Sequence, residues 1–162
     1  MQYKYYLHLF AGMAMLELGN LASSLAPFNV SAVSESLGAN SQESGLVVTL
    51  ELFFAAISSL FFGTVSYKGK ALAYCGSLIV ICSYFLCSIA SDVNQITFIK
   101  AFSGIGCGML IASGHSILAS SQDPNRSYAL FTLFASLTAA FLIYISSTVS
   151  YTHLTLPTIL PV

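Results

Sequence analysis

Ala71-Leu-Ala-Tyr-Cys-Gly-Ser-Leu-Ile-Val-Ile-Cys-Ser-Tyr-Phe-Leu-Cys-Ser-Ile-Ala-Ser91 runs for 21 residues without a charged side chain. A helix of about 20 apolar residues, rising 1.5 Å each, crosses the roughly 30 Å hydrocarbon core of a bilayer. Residues 101–122 form a second uncharged run of the same kind. Buried strands are much shorter, and the alternating apolar–polar pattern of a membrane β-barrel is absent, so both runs read as membrane helices.

The rest of the chain fits that reading. Charged residues make up 7% of the 162, hydrophobic residues 56%, and mean hydropathy is +0.82. Ordinary soluble domains carry roughly 25% charged residues. Five Lys/Arg and six Asp/Glu cannot cover a water-exposed surface of this size. The composition excludes a soluble enzyme, a nucleic-acid binder with a basic face and a disordered segment. Cys75, Cys82, Cys87 and Cys107 all lie in apolar runs, without a C-x-x-C pair or a His at metal spacing, and read as small, reduced packing residues. No metal or cofactor is expected. Lys4 before an apolar run suggests a signal peptide, but Glu17 falls where a cleavage region would stand, so the segment reads as an uncleaved first span.

Five spans result, at 5–27, 45–66, 71–91, 96–120 and 127–147, giving an all-α polytopic bundle. Turn chemistry separates them at 36–40, 67–70, 91–94 and 122–126. Glu35, Glu43, Asp92 and Asp123 read as solvated loop charges. With the N-terminus in the cytoplasm, Lys4, Lys68, Lys70 and Arg126 fall inside, and only Lys100, within a span, lies toward the outside. The expected location is therefore the plasma (inner) membrane, with the lipid bilayer as the first partner.

Residues 149–158, Val-Ser-Tyr-Thr-His-Leu-Thr-Leu-Pro-Thr, do not continue this pattern. They resemble one translated frame of a transposase-type sequencing adapter, gtctcttatacacatctgacgctgccgacg. Residues 148–162 are accordingly expected to be a non-native tail on a truncated reading frame. The genuine segment is expected to be 1–147, an N-terminal helix bundle lacking the C-terminal half of the same protein.

Three features of that segment resemble the N-terminal half of a major facilitator superfamily transporter. Gly63-Thr-Val-Ser-Tyr-Lys68-Gly69-Lys70 is similar to the family's loop signature G-x-x-x-D-[RK]-x-G-[RK], one residue short before Gly69 and with Tyr67 at the aspartate position. Lys100-Ala-Phe-Ser-Gly104-Ile-Gly106-Cys-Gly108 resembles R-x-x-x-G-x-G-x-G, with lysine for arginine. The first span carries Glu17 and Asn20 and ends at Pro27, as family members often do. The resemblance implies a secondary active transporter, with alternating access to a midplane site between two six-helix halves. Its partners would be a small-molecule solute and protons, and it would bind no nucleic acid.

Physics alone marks overlapping residues. Gly104, Gly108 and Ala112 form a small-residue stripe that admits a close helix neighbour. Charges within a span are costly and mark function by default. Glu17, Glu51 and Lys100 all fall in the outer half of the bilayer and are expected to form one polar centre, with Asn20 beside it. Glu17, the deepest, is the expected proton-coupling acid, and Lys100 its counter-charge or the anchor of an anionic solute. A non-transporting receptor or assembly subunit, in which these charges are internal structural pairs, is the alternative. Ser113-Gly-His115 could suggest an intramembrane hydrolase, but residues two apart on a helix face different ways. His8 and His115 read as interfacial or packing histidines.

The charge bias yields a direct test of topology. Single cysteines at Ser66 and Asn125, on a cysteine-free background, should resist membrane-impermeant maleimide in intact cells and react after permeabilisation. Rapid labelling of both in intact cells would invert the orientation.

Overall fold

Polar punctuation sets the helix ends. In a computed structural model, residues 2–64 and 69–154 are described, with the side chains of 5–64 and 69–146. Tyr67 and Lys68 of the loop motif lie outside the described residues, as do residues 155–162 and the side chains of Lys4 and of 147 onward. The described elements are all α-helices: α1 (Gln2–Ser24), α2 (Ala26–Leu37), α3 (Ser41–Thr64), α4 (Gly69–Ile89), α5 (Val93–Ala119) and α6 (Pro124–Leu154). Four of them are long and apolar enough to cross a membrane, with a fifth span if α1 and α2 count as one bent helix.

The path of the chain differs from the sequence expectation at Pro27 and at Glu43. The helical path does not stop at Pro27. Proline is tolerated in the first turn of a helix, where its missing N–H has no partner to lose, and Pro27 stands in the first turn of α2. The chain turns by 52° between α1 and α2, then stays helical until Gly38, whose φ of 64° closes α2 in the left-handed conformation. Glu35 is thus an exposed residue of α2 rather than of a loop.

Glu43 likewise belongs to a helix, the first turn of α3. The Asn40 side chain accepts from the Glu43 N–H at 2.9 Å, while the Glu43 carboxylate accepts from the Asn40 N–H at 3.0 Å. This reciprocal capping box starts α3 four residues before the apolar run. Asp123 does similar work at α6, accepting from the Arg126 N–H at 3.1 Å with Pro124 at the first helical position. At its other end α6 reaches Leu154, beyond the expected limit at 147, because no glycine or proline interrupts residues 125–154.

The bundle is built around α5, which packs against α3, α4 and α1. Its contact face is made of small residues: Ser103, Gly104, Gly106, Cys107, Gly108, Ala112, Ser113 and Gly114 are all buried. A methyl group at Gly104 would strike the Glu51 carbonyl oxygen, and one at Gly108 would come within 2.5 Å of the Ala55 carbonyl oxygen. Across the same seam the Ser58 hydroxyl donates to the Ile105 carbonyl at 2.8 Å. On the α4 side, Gly76 and Gly106 face each other.

Larger apolar side chains fill the two ends. Leu9, Met13, Leu16 and Leu118 close one, and Val33, Ala39, Val47 and Ile96 the other. The outer surface carries Leu60, Tyr74, Phe85 and Phe98, each more than two-thirds exposed. Apolar patches of this extent are avoided by soluble monomers and suit a lipid environment. On α6, Ser127 is the only buried residue among those described; its hydroxyl lies 2.8 Å from that of Ser121.

Gly104→Ala and Gly108→Ala should each lower the unfolding midpoint of the purified protein in detergent, since backbone blocks the added methyl. Gly45→Ala, where a methyl meets open space, should leave it unchanged or raise it, as alanine favours helix by about 1 kcal/mol over glycine. Equal midpoints for all three variants would contradict the α3–α5 packing.

Candidate functional site

The close approach at Gly104 brings Glu51 of α3 to the α5 surface. Lys100 lies one helical turn before Gly104, on the same face, and its ammonium donates to both Glu51 oxygens, at 3.2 and 3.4 Å. The Glu51 side chain is fully buried and that of Lys100 is 8% exposed. The ring of Tyr84, from α4, covers the ammonium with its centroid 4.4 Å away, a cation–π contact that strengthens when water is excluded. Among the described residues this is the only ion pair between side chains.

Beside it lies a cleft of about 210 Å³ among α2, α3, α4 and α5, bordered by Lys100, Tyr84, Cys87, Ser36 and Asn29. The Asn29 amide nitrogen is buried without a hydrogen-bond partner, and so is the Ser103 hydroxyl one turn beyond Lys100. Leaving a buried donor unpaired costs about 1–3 kcal/mol, so Asn29 is an available donor next to a held cation. The cleft abuts α2 just after the α1–α2 bend.

The structure brings Glu51 and Lys100 together but sets Glu17 and Asn20 apart from them, which corrects the expectation of a single polar centre. Gly19 abuts the Cys107 carbonyl and Ile111, while Leu16 meets Gly114. Glu17 therefore stands level with about residue 112 of α5, roughly 18 Å of helical rise from Lys100. The discrepancy comes from measuring depth from Pro27, whereas the helical path runs ten residues further. Glu17 is 8% exposed and has no hydrogen bond or ion pair among the described residues. The Asn20 amide donates to the Leu16 carbonyl of its own helix at 2.9 Å.

The remaining marked residues are dispersed. Gly104, Gly108 and Ala112 face inward on α5. Gly63, Gly69 and Lys70 are exposed at the opposite end of the bundle, and added methyls at Gly63 and Gly69 would meet nothing. The Ser113 hydroxyl donates to the Met109 carbonyl, whereas His115 turns to the Tyr128 hydroxyl at 3.3 Å. No group of three or more His, Cys, Asp or Glu among the described residues is placed to hold a metal.

Tyr84 and Asn29 escaped the sequence reading. Tyr84 had a legible signal: it and Lys100 lie eight residues to either side of Asp92, and antiparallel helices joined by a short turn place such positions at one depth. Asn29 has none, because it lies beyond a span that ends at Pro27 in the sequence pattern. No family model, curated protein or solved structure matches the chain, so the site rests on its own geometry.

Breaking a buried pair leaves a charge uncompensated, at about 3–5 kcal/mol, whereas removing both partners is often near neutral. Glu51→Met and Lys100→Met should each destabilise the folded protein by that order, and the double variant by clearly less than either. Additive losses in a double-mutant cycle of detergent unfolding would show that the two side chains are not coupled.

Proposed function

We propose that this chain is the N-terminal helix bundle of a secondary active transporter of the major facilitator type. The observation that carries the reading is the Glu51–Lys100 pair, buried inside apolar helices beside a cleft with an unpaired Asn29 donor. Charge held at such depth is costly, and the cleft gives it something to act on. The glycine pattern of α5 and the Gly63–Lys70 loop, which resemble the family's signatures, support the same conclusion.

In this reading Lys100 anchors an anionic group of the solute, with Asn29 as a second donor. Glu51 neutralises Lys100 while the site is empty, and the anionic group of the solute takes its place at the ammonium. Glu17, buried on α1 without a partner, carries the coupling proton at a separate depth. A second six-helix half supplies the opposite wall, and rocking of the halves exposes the site to each side in turn.

In proteoliposomes containing the protein with both halves, an inward proton gradient should drive uptake of an anionic solute. Glu17→Gln should abolish that uptake and spare solute exchange, and residues 1–162 alone should transport nothing. Gradient-driven uptake by the Glu17→Gln variant at the unsubstituted rate would remove Glu17 from the mechanism. If the two-half protein moves no anionic, neutral or cationic solute, the transporter reading fails and a receptor or assembly subunit takes its place.

A further inference from the structure

A second cavity, of about 470 Å³, opens at the other end of the bundle between α1 and α4, with α5 as its floor. That volume lies within the roughly 300–1,000 Å³ of small-molecule sites. His8 of α1 and Lys70 of α4 stand toward its mouth, with Ser116 and Ile117 of α5 on the floor, and Ser77 and Met15 line it further in. From Lys70 to Ser77 the wall descends seven residues, or about 10 Å. The cavity is therefore cationic at its rim, with the hydroxyl of Ser77 at depth.

Three of its polar groups, Lys70, Ser77 and Ser116, are uncommitted among the described residues. Lys70 has no ion-pair partner among the described residues, and the adjoining residues 65–68, Val-Ser-Tyr-Lys, contain no carboxylate. Of the six carboxylates in the chain, Glu35, Glu43 and Asp92 lie at the far end and Glu51 is held by Lys100. Glu17 is not part of the lining, and Asp123 caps α6. The Ser77 and Ser116 hydroxyls make no hydrogen bond among the described residues, unlike Ser113 and Ser120, which bond back to their own helix. The cavity also opens sideways onto apolar surface: Tyr74, on its rim, is 78% exposed and Leu78, one turn further along α4, is 64% exposed.

From this arrangement we propose that the α1–α4 crevice binds an anionic phospholipid, its phosphate diester at Lys70 and its acyl chains along the Tyr74–Leu78 face of α4. A free phosphate would use the cation and the hydroxyls but not the sideways opening onto apolar surface. Basic pockets between membrane helices recognise anionic headgroups by this combination of charge and depth. The orientation expected from the basic residues places the lipid in the cytoplasmic leaflet, where anionic lipids concentrate. This inference does not rest on the transporter reading.

The test is native mass spectrometry of the full chain released from nanodiscs of equal phosphatidylglycerol and phosphatidylcholine. One phosphatidylglycerol should be retained in preference to phosphatidylcholine. Lys70→Gln should reduce its retention about fivefold, the usual effect of one basic side chain at a membrane surface. Arg126→Gln, which removes a cation outside the crevice, should leave retention unchanged. Ser116→Phe, which fills the mouth and keeps the charge, should abolish it. Equal losses from Lys70→Gln and Arg126→Gln would reduce the effect to general surface charge and overturn the proposal. So would equal retention of the two lipids, or displacement of the lipid by millimolar inorganic phosphate, which would make free phosphate the ligand.

Discussion

The contact of Gly104 with the backbone of Glu51 holds the bundle and its charges in one arrangement. With no Cβ on Gly104, α3 and α5 approach until backbone meets backbone, and the Glu51 carboxylate arrives one helical turn away at the Lys100 ammonium. Helix packing and charge neutralisation are thus the same event. In lipid there is little hydrophobic force between helices, so association relies on close packing and polar contacts, and here both act along one seam.

That seam explains the inside-out distribution of the remaining side chains. The buried face of α5 is small or polar from Lys100 to Gly108, with Ser103 and Lys100 among its residues, and Leu110 and Leu118 follow beyond it. The largest aromatic and aliphatic groups are turned outward. Bulk at the centre would separate helices whose backbones must touch, whereas bulk on the outside meets only acyl chains. Helix α6 shows the contrast: it has the same apolar character but offers no glycine stripe, and it stays almost entirely at the surface.

Two cavities, each lined by a cationic side chain, follow from how α1, α2 and α4 flank the central helix. Near the Asp92 end, α2 leaves α1 at the bend by Pro27 and borders, with Lys100, the cleft that Asn29 also lines. Near the Lys70 end, α1 and α4 both lean on α5 and leave the basic crevice between them. Chemically they are opposites. The first pairs its cation with a buried carboxylate and an aromatic ring; the second leaves its cation open to whatever reaches it from the side.

The sequence by itself determined the helical class, the apolar lengths and the small face of α5. These follow from composition and from spacing within single helices, which need no neighbour to be read. It also marked Glu51 and Lys100 as charges needing compensation, because the cost of desolvating charge does not depend on which helix supplies the partner. Only the tertiary structure decided that Lys100 takes Glu51 and leaves Glu17 alone, since that choice depends on how far the helices slide past one another. A proline that bends a helix and one that ends it look alike in sequence; at Pro27 the helix bends and runs on to Leu37, and Glu17 packs about twelve residues along α5 from Lys100, roughly 18 Å of rise. Tyr84 and Asn29 joined the site for the same reason: their roles arise from depth and facing, which separate helices acquire only when packed together.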